Sequence, residues 1–220
     1  MKILAHRGMW QVENEKNSVS AISKALEHGF GVETDLRDYK GEIVISHDMA
    51  TAESIPFKEY LHMARSKRLL GQGLLWALNI KADGLERPLA AILQEFDLFQ
   101  ESFVFDMSIP TAIQFVKNCP EIKLCSRISD VEPQVLPFFL EKSEYIWVDS
   151  FYGEKVPYDL LRQMQEAGKK IVFVSDELHR RENYREYWQS IKKSFANTEG
   201  LYLCTDYPLE AAEFFKGRQK

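Results

Sequence analysis

The sequence predicts an α/β fold, a single (β/α)8 or TIM barrel over residues 1–220. Three observations predict it: eight short β-rich runs, amphipathic stretches between them, and polar residues that follow the runs. A chain of 220 residues is long enough for one large core and short for two independent domains. The runs are residues 2–5, 31–34, 74–78, 103–105, 123–126, 145–148, 170–174 and 201–204.

Apolar residues between the runs recur at the spacing of one helix face. The clearest stripes are Leu89, Ile92, Leu93 and Phe96, then Ile109, Ala112, Ile113 and Val116. The weakly patterned segment 51–73 predicts a short helix over 57–64 and a loop. Strand and helix alternation of this kind calls for parallel strands with right-handed crossovers. An open doubly wound sheet is the competing architecture.

Polar residues close almost every β-rich run. They are His6, Asp35, Asn79, Asp106, Arg127, Asp149, Asp176 and Asp206. For any one of them, the ordinary explanation is that polar residues begin loops. In a barrel, however, the strand ends converge on one rim, and catalytic residues of this fold come from several of those ends. The eight together therefore favour the barrel and a functional rim.

Composition excludes several classes of function. The net charge of -5 and pI near 5.6 argue against a general nucleic-acid or anionic-membrane surface, although a local phosphate pocket stays possible. We expect no stable membrane insertion, because no run of about 18 apolar residues occurs. The N-terminus lacks a signal-peptide pattern, and three scattered cysteines fit a reducing compartment. We therefore expect a cytoplasmic protein, with its oligomeric state left open.

Glu33 and Asp35 stand two residues apart in a β-rich run, so their side chains project to the same face. Two such carboxylates supply part of the oxygen ligands that Mg2+ or Ca2+ requires. An isolated acidic pair is more often solvated surface. The apolar Phe30 and Val32 that precede the pair favour the cation site.

Two histidines also close apolar runs. His6 ends the first run, and His47 follows the apolar residues 43–45. Two imidazoles at one site can divide acid and base duty, one accepting a proton from a hydroxyl and the other donating to a leaving oxygen. The planar guanidinium of Arg7 suits a phosphate group. For each histidine alone, a hydrogen-bonded neighbour at a strand end is the commoner role.

Six short motifs resemble the glycerophosphodiester phosphodiesterase family, in its order and approximate spacing. They are Ala-His-Arg-Gly at 5–8, Asn-Ser at 17–18, Val-Glu-Thr-Asp-Leu at 32–36, Val-Ile-Ser-His-Asp at 44–48, Leu-Asn-Ile-Lys at 78–81 and Thr-Asp-Tyr-Pro at 205–208. The motifs touch the first, second, third and eighth strands, so the resemblance spans the chain. It implies a TIM barrel that hydrolyses a phosphodiester and releases an alcohol.

The resemblance also implies the roles of individual residues. Glu33 and Asp35 are expected to bind a divalent cation, Mg2+ or Ca2+. His6 and His47 are expected to be the catalytic acid and base. Arg7 and Lys81 are expected to hold the phosphate of a small-molecule phosphodiester substrate.

The sequence departs from the family in its third strand, where Asn79 replaces a metal-binding Glu. Asn79 can offer only a neutral carbonyl oxygen, so metal affinity should fall or be restored elsewhere. Asp106, at the end of the next strand, is the predicted replacement ligand. The alternative for Asp106 is a helix N-cap or first-turn charge before Pro110. Lys16 also stands where the family commonly has Glu.

Two further expectations concern the substrate. Only about 25 residues separate His47 from the third strand, too few for the insertion subdomain usual in the family. A larger or differently headed phosphodiester is therefore as plausible as a small glycerophosphodiester. Arg127 directly follows an apolar run and is the predicted additional substrate-binding residue.

Three functional hypotheses remain open on the sequence alone. The leading one is a metal-dependent phosphodiesterase that uses the two histidines. The second is a catalytically degenerate barrel that binds a phosphate-bearing ligand, which Asn79 and Lys16 suggest. The third is catalysis without metal, with Lys16 or Lys81 supplying the positive charge near phosphate.

Overall fold

The computed structural model of the protein describes residues 1–216 and contains ten strands and eight helices. The strands are β1 (Lys2–His6), β2 (Gly31–Tyr39), β3 (Glu42–Ile45), β4 (Ile55–Pro56), β5 (Trp76–Ile80), β6 (Ser102–Phe105), β7 (Lys123–Ile128), β8 (Ser143–Val148), β9 (Lys170–Val174) and β10 (Leu201–Thr205). The helices are α1 (Val19–Glu27), α2 (Phe57–Ser66), α3 (Glu86–Phe96), α4 (Ile109–Asn118), α5 (Pro137–Lys142), α6 (Tyr158–Glu166), α7 (Tyr184–Ser194) and α8 (Pro208–Phe215).

The strand order is that of a (β/α)8 barrel. The strands follow one another as β1-β10-β9-β8-β7-β6-β5-β2-β3-β4, with β3 and β4 added as an antiparallel extension of β2. Without that extension, each strand lies beside the next one along the chain. A doubly wound sheet would instead reverse its order at a switch point. The predicted fold class is therefore confirmed, and the eight predicted runs all lie within or overlap strands.

The first compact unit consists of residues 6–124. Parallel pairing joins β2 to β5, β5 to β6, and β6 to the start of β7. The strand β2 is longer than predicted, because from Leu36 to Tyr39 it pairs with β3 in a hairpin. As a result, Asp35 lies inside β2 rather than after it.

The second compact unit consists of residues 1–5 and 125–216. In it, β10 lies between β1 and β9, and β9 pairs with β8, all in parallel register. The helix α7 packs Trp188 into the core, where the indole N–H donates to the Ser175 hydroxyl at 2.7 Å.

Burial follows the predicted stripe in α3 but not in α4, where Ile109 is exposed and Phe115 lies in the core instead. The predicted stripe on α3 places Leu89, Leu93 and Phe96 in the core. The helix α2 occupies the predicted part of segment 51–73. The three cysteines are buried free thiols. Among residues 1–216, no helix has the length and apolarity needed to cross a bilayer.

The turn after β1 is fitted tightly against α1. Arg7 and Gly8 both have left-handed backbones, with φ of 55° and 88°, and the Met9 N–H donates to the Ala21 carbonyl at 2.8 Å. A Cβ on Gly8 would lie 2.5 Å from the carbonyl carbon of Ala21. Only glycine therefore fits at this position, both for its backbone angle and for space.

We expect Gly8→Ala to destabilise the fold by about 3 kcal/mol or more, because it combines left-handed strain with a backbone clash. Gly41→Ala is the matched control: Gly41 has a φ of 86° but open space around a Cβ. It should lose only about 1 kcal/mol. Urea unfolding measures both, and equal losses would contradict the proposed clash.

Candidate active site

The end of β1 lies against β2 within the first unit, and this contact begins the site. The Arg7 N–H donates to the Glu33 carbonyl at 2.9 Å. On β2, Glu33 and Asp35 project to one face, and Asn79 of β5 is in register with Asp35. Three predicted site residues of two neighbouring strands are therefore brought together.

The site contains three buried oxygen atoms that accept no hydrogen bond. They are Oε2 of Glu33, Oδ1 of Asp35 and Oδ1 of Asn79. All three residues are buried, and the Asp35 side chain is fully so. Buried polar atoms without a partner are costly and uncommon in folded proteins, so each requires an explanation.

Two cations compensate the buried charge of Asp35. Nε of Arg7 lies 2.9 Å from Asp35 Oδ2, and Nζ of Lys81 lies 3.5 Å from Oδ1. The Arg7 Nε–H is not aimed at the carboxylate oxygen, so this contact is ionic rather than a well-formed hydrogen bond. The two predicted phosphate-binding residues thus stand beside a predicted cation ligand.

Glu33 has an unusual proton affinity. Burial, together with the neighbouring charge of Asp35, raises the pKa of its carboxyl from 4.5 to about 8. Arg7, Lys81 and a hydrogen bond from Asn79 oppose this shift without cancelling it. Nε2 of His6 lies 3.9 Å from Glu33 Oε2, close enough for electrostatic coupling but not for a hydrogen bond.

Lys81 also reaches Asp106. Its Nζ lies 3.6 Å from Asp106 Oδ2, so the ammonium group stands between this carboxylate and Asp35. Asp106 follows β6 in a left-handed conformation, with φ of 68°. Its predicted role as a replacement metal ligand stays a prediction.

His47 lies in the exposed loop after β3. The Ser46 N–H donates to the Asp35 carbonyl at 3.0 Å, which fixes the start of this loop beside the acidic pair. The side chain of His47 is 44% exposed, and its Nδ1 pairs with Asp48 at 2.9 Å. Within the described chain, the ring therefore contacts Asp48 rather than Glu33 or Asp35. Its predicted catalytic role stays a prediction.

Arg127, the predicted additional substrate-binding residue, belongs to the second unit. Its Nε pairs with Glu132, and its guanidinium lies 5.4 Å from the ring centre of Phe151. The role of Arg127 in substrate binding stays a prediction.

The second unit also holds an ionic cluster that joins the loops after β8 and β9. Nε2 of His179 lies 2.6 Å from Asp149 Oδ1. Asp176 pairs with Lys155 and with Arg181, whose Nη2 also donates to the Ser150 carbonyl at 2.6 Å. Two of the polar strand ends, Asp149 and Asp176, therefore take part in ion pairs.

Sequence reasoning did not assign a role to Asn17. Its Nδ2 donates to Asp35 Oδ2 at 2.8 Å, and its Oδ1 accepts from the Thr34 hydroxyl at 2.8 Å. The only signal was its place in the Asn-Ser motif before α1, which is equally typical of a helix start.

The donor set suits a hard divalent cation better than zinc or copper. Two carboxylates and an amide carbonyl offer oxygen atoms only, which are the ligands that Mg2+ and Ca2+ prefer. Among the described residues, no three His, Cys, Asp or Glu side chains form a metal-ligand cluster. The three unpartnered oxygens on adjacent strands fit such a cation.

Solved structures of glycerophosphodiester phosphodiesterases resemble the whole chain. One from Parabacteroides distasonis has a TM-score of 0.75 at 16% identity, with 100% of this chain and 98% of that chain covered. One from Agrobacterium tumefaciens has a TM-score of 0.70 at 16% identity, with 99% and 100% covered. The chain has the fold of these enzymes. No family model and no curated protein matches it.

A protein with a different activity has a similar fold. A mutant tryptophan synthase α-subunit from Pyrococcus furiosus matches with a TM-score of 0.56 at 15% identity, covering 98% of this chain and 94% of that one. Likeness at these identities establishes the barrel and leaves function to the side chains. The structures from Parabacteroides distasonis and Agrobacterium tumefaciens are covered almost completely by this chain. The short segment after His47 therefore does not distinguish this chain from them.

We expect Glu33→Gln to stabilise the protein increasingly as pH rises from about 5 to about 8, in the presence of a chelator. The pKa of Glu33 is raised in the folded state, so the fold is favoured while the group is protonated and loses stability as it ionises. Glutamine has no charge to bury. Thermal unfolding across this pH range measures the difference.

Glu53→Gln changes an exposed glutamate and should follow the wild-type protein at every pH. A difference between Glu33→Gln and wild type that stays constant over the whole range would contradict the shifted pKa of Glu33.

Proposed function

We propose that the protein is a metal-dependent phosphodiesterase of the glycerophosphodiester phosphodiesterase type. A divalent cation, Mg2+ or Ca2+, is held by Glu33, Asp35 and Asn79, with Asp106 as a further ligand. The substrate is a small-molecule phosphodiester, and nucleic acid is not expected as a partner of a chain with net charge -5. The three free thiols suit the cytoplasmic location expected from the sequence.

One observation carries the proposal: three oxygen atoms on the neighbouring strands β2 and β5 are buried without hydrogen-bond donors. A cation there would satisfy all three at once. The full-length likeness to enzymes named for phosphodiester cleavage supports the reaction class. The motifs that contain His6, Arg7, Glu33, Asp35 and His47 support the same class.

The cationic side chains bind and orient the phosphate. Arg7 and Lys81 already flank Asp35, at 2.9 Å and 3.5 Å, and can turn toward the non-bridging oxygens of a phosphodiester. When bound, the divalent cation supplies further positive charge and polarises the phosphate. Asp35 in turn keeps both side chains close to the position of the substrate.

His6 and His47 move the protons. One imidazole takes the proton of the attacking hydroxyl as the new P–O bond forms, and the other gives a proton to the alkoxide as the old P–O bond breaks. Nε2 of His6 lies 3.9 Å from Glu33 Oε2, beside the proposed cation ligands. The loop that carries His47 is anchored to the Asp35 carbonyl through the Ser46 N–H.

A second candidate function is binding of a phosphate-bearing ligand without turnover. The observation that favours it is the position of Lys81, whose ammonium lies between Asp35 and Asp106 and already supplies positive charge. Asn79, which adds no charge, weakens the cation site in the same direction.

We expect His6→Ala and His47→Ala each to lower phosphodiester turnover by at least about 100-fold, the usual scale for loss of an acid–base group. Turnover is measured on a panel of phosphodiesters with Mg2+, Ca2+ or Mn2+. His62→Ala is the matched control, since His62 is an exposed histidine on α2 and pairs with Glu95. Undiminished turnover in either site variant would rule out the two-histidine mechanism.

We expect Asn79→Glu to tighten divalent-cation binding by about tenfold or more, because a third carboxylate replaces a neutral oxygen. Calorimetric titration of Mg2+ and Ca2+ measures this change. Asn118→Glu adds the same charge on the exposed face of α4 and should leave affinity unchanged. If wild-type protein and Asn79→Glu both fail to bind a cation at millimolar concentration, the phosphate-binding function replaces the enzymatic one.

A further inference from the structure

We infer that Asn17 is a positioning residue that fixes the Asp35 carboxylate so that one of its oxygens, Oδ1, is kept for the cation. The inference deepens the proposed function and rests on it for the identity of the bound group. It concerns a side chain outside the ligand set, on the segment between β1 and α1.

The Asn17 amide has a defined orientation. A carboxylate oxygen only accepts, so the Asn17 NH2 group has to face Asp35, and Asn17 Oδ1 then accepts from the Thr34 hydroxyl at 2.8 Å. Its Nδ2 then donates to Asp35 Oδ2 at 2.8 Å. The Thr34 hydroxyl holds the other end of the amide, so its loss would leave the amide held by Asp35 alone.

The backbone of Asn17 is also fixed. Its φ of 60° lies in the left-handed region, which asparagine tolerates better than most residues. The Asn17 N–H donates to the Arg7 carbonyl at 2.9 Å, and Ser18 directly afterwards caps α1 by accepting from the Ala21 N–H. Asn17 is therefore fixed from both sides, by the turn after β1 and by the start of a helix.

The two carboxylate oxygens of Asp35 differ in their contacts. Oδ2 receives the Asn17 amide and lies 2.9 Å from Arg7 Nε. Oδ1 accepts no hydrogen bond and has Lys81 Nζ at 3.5 Å. The protein thus satisfies one oxygen with a hydrogen bond and leaves the other buried without one.

Asn17 is an uncharged hydrogen-bond donor to Asp35. An amide holds a carboxylate by a hydrogen bond without cancelling its charge, whereas another cation would reduce the attraction for a metal ion. Residues that orient metal ligands in this way typically contribute about 10-fold to 100-fold in metal affinity or activity. Asn17 therefore sets the geometry of Asp35 while it preserves the charge that a cation needs.

The test is calorimetric titration of the purified full chain with Mn2+, which needs no substrate. Asn17→Gly removes the amide but keeps the left-handed backbone at no steric cost. Thr34→Val keeps shape and removes only the hydroxyl that holds the other end of the amide, so it is informative even if Asn17→Gly folds poorly. Asn14→Gly, an exposed asparagine of the same segment, is the matched control.

We expect Asn17→Gly to weaken Mn2+ binding by about tenfold or more. Thr34→Val should weaken it less, and Asn14→Gly should bind like wild type. Excess Mn2+ should restore binding in Asn17→Gly, and it should restore turnover where wild type has turnover. A side chain with a purely structural role would lower thermal stability without this rescue.

Wild-type affinity in both Asn17→Gly and Thr34→Val would overturn the inference, as would absence of Mn2+ binding in the wild-type protein. Failure of the proposed function has a different signature. In that case wild-type protein binds Mn2+ and hydrolyses no phosphodiester, while weaker Mn2+ binding in Asn17→Gly still supports the role of Asn17.

Discussion

The structure of the site depends on the burial of two carboxylates, Glu33 and Asp35, side by side on one strand. Removing two like charges from water is unfavourable, and the protein responds in two ways. Asp35 receives Arg7 and Asn17 from the segment between β1 and α1, and Lys81 from the end of β5. Glu33 instead holds its proton more tightly, with a pKa of about 8. Because the compensation is incomplete, three oxygen atoms remain available to a ligand.

The same constraint explains the conformation of the segment after β1. Arg7 and Asn17 both adopt left-handed backbones, and Gly8 between them has no room for a side chain. A left-handed backbone at a non-glycine residue is uncommon and persists where the surrounding structure enforces it. Here the hydrogen bonds from Arg7 to β2 and from Asn17 to Arg7 enforce it. The local backbone preference of Arg7 and Asn17 is therefore overridden by the contacts that place side chains around Asp35.

Much of the fold was predictable because its signals are local. Eight β-rich runs and the apolar stripes of helices such as α3 depend on residues close together in sequence. The end of β2 was not predictable, since its last residues are paired by β3 only after the chain has turned back. Asn17 was missed for a related reason. Its partners Thr34 and Asp35 lie on another strand, and an asparagine before a helix also suits a simple cap.

By itself the sequence determined the alternation of strands and helices, and hence the barrel. It also determined that Glu33 and Asp35, two residues apart on one strand, share a face of that strand. Tertiary structure alone decided which distant groups meet them. It placed Asn79 in register with Asp35 and Lys81 between two aspartates, and it turned His47 toward Asp48. Periodicity is a property of neighbouring residues, whereas ion pairs and unpartnered oxygens depend on distances in space that only the packed chain defines.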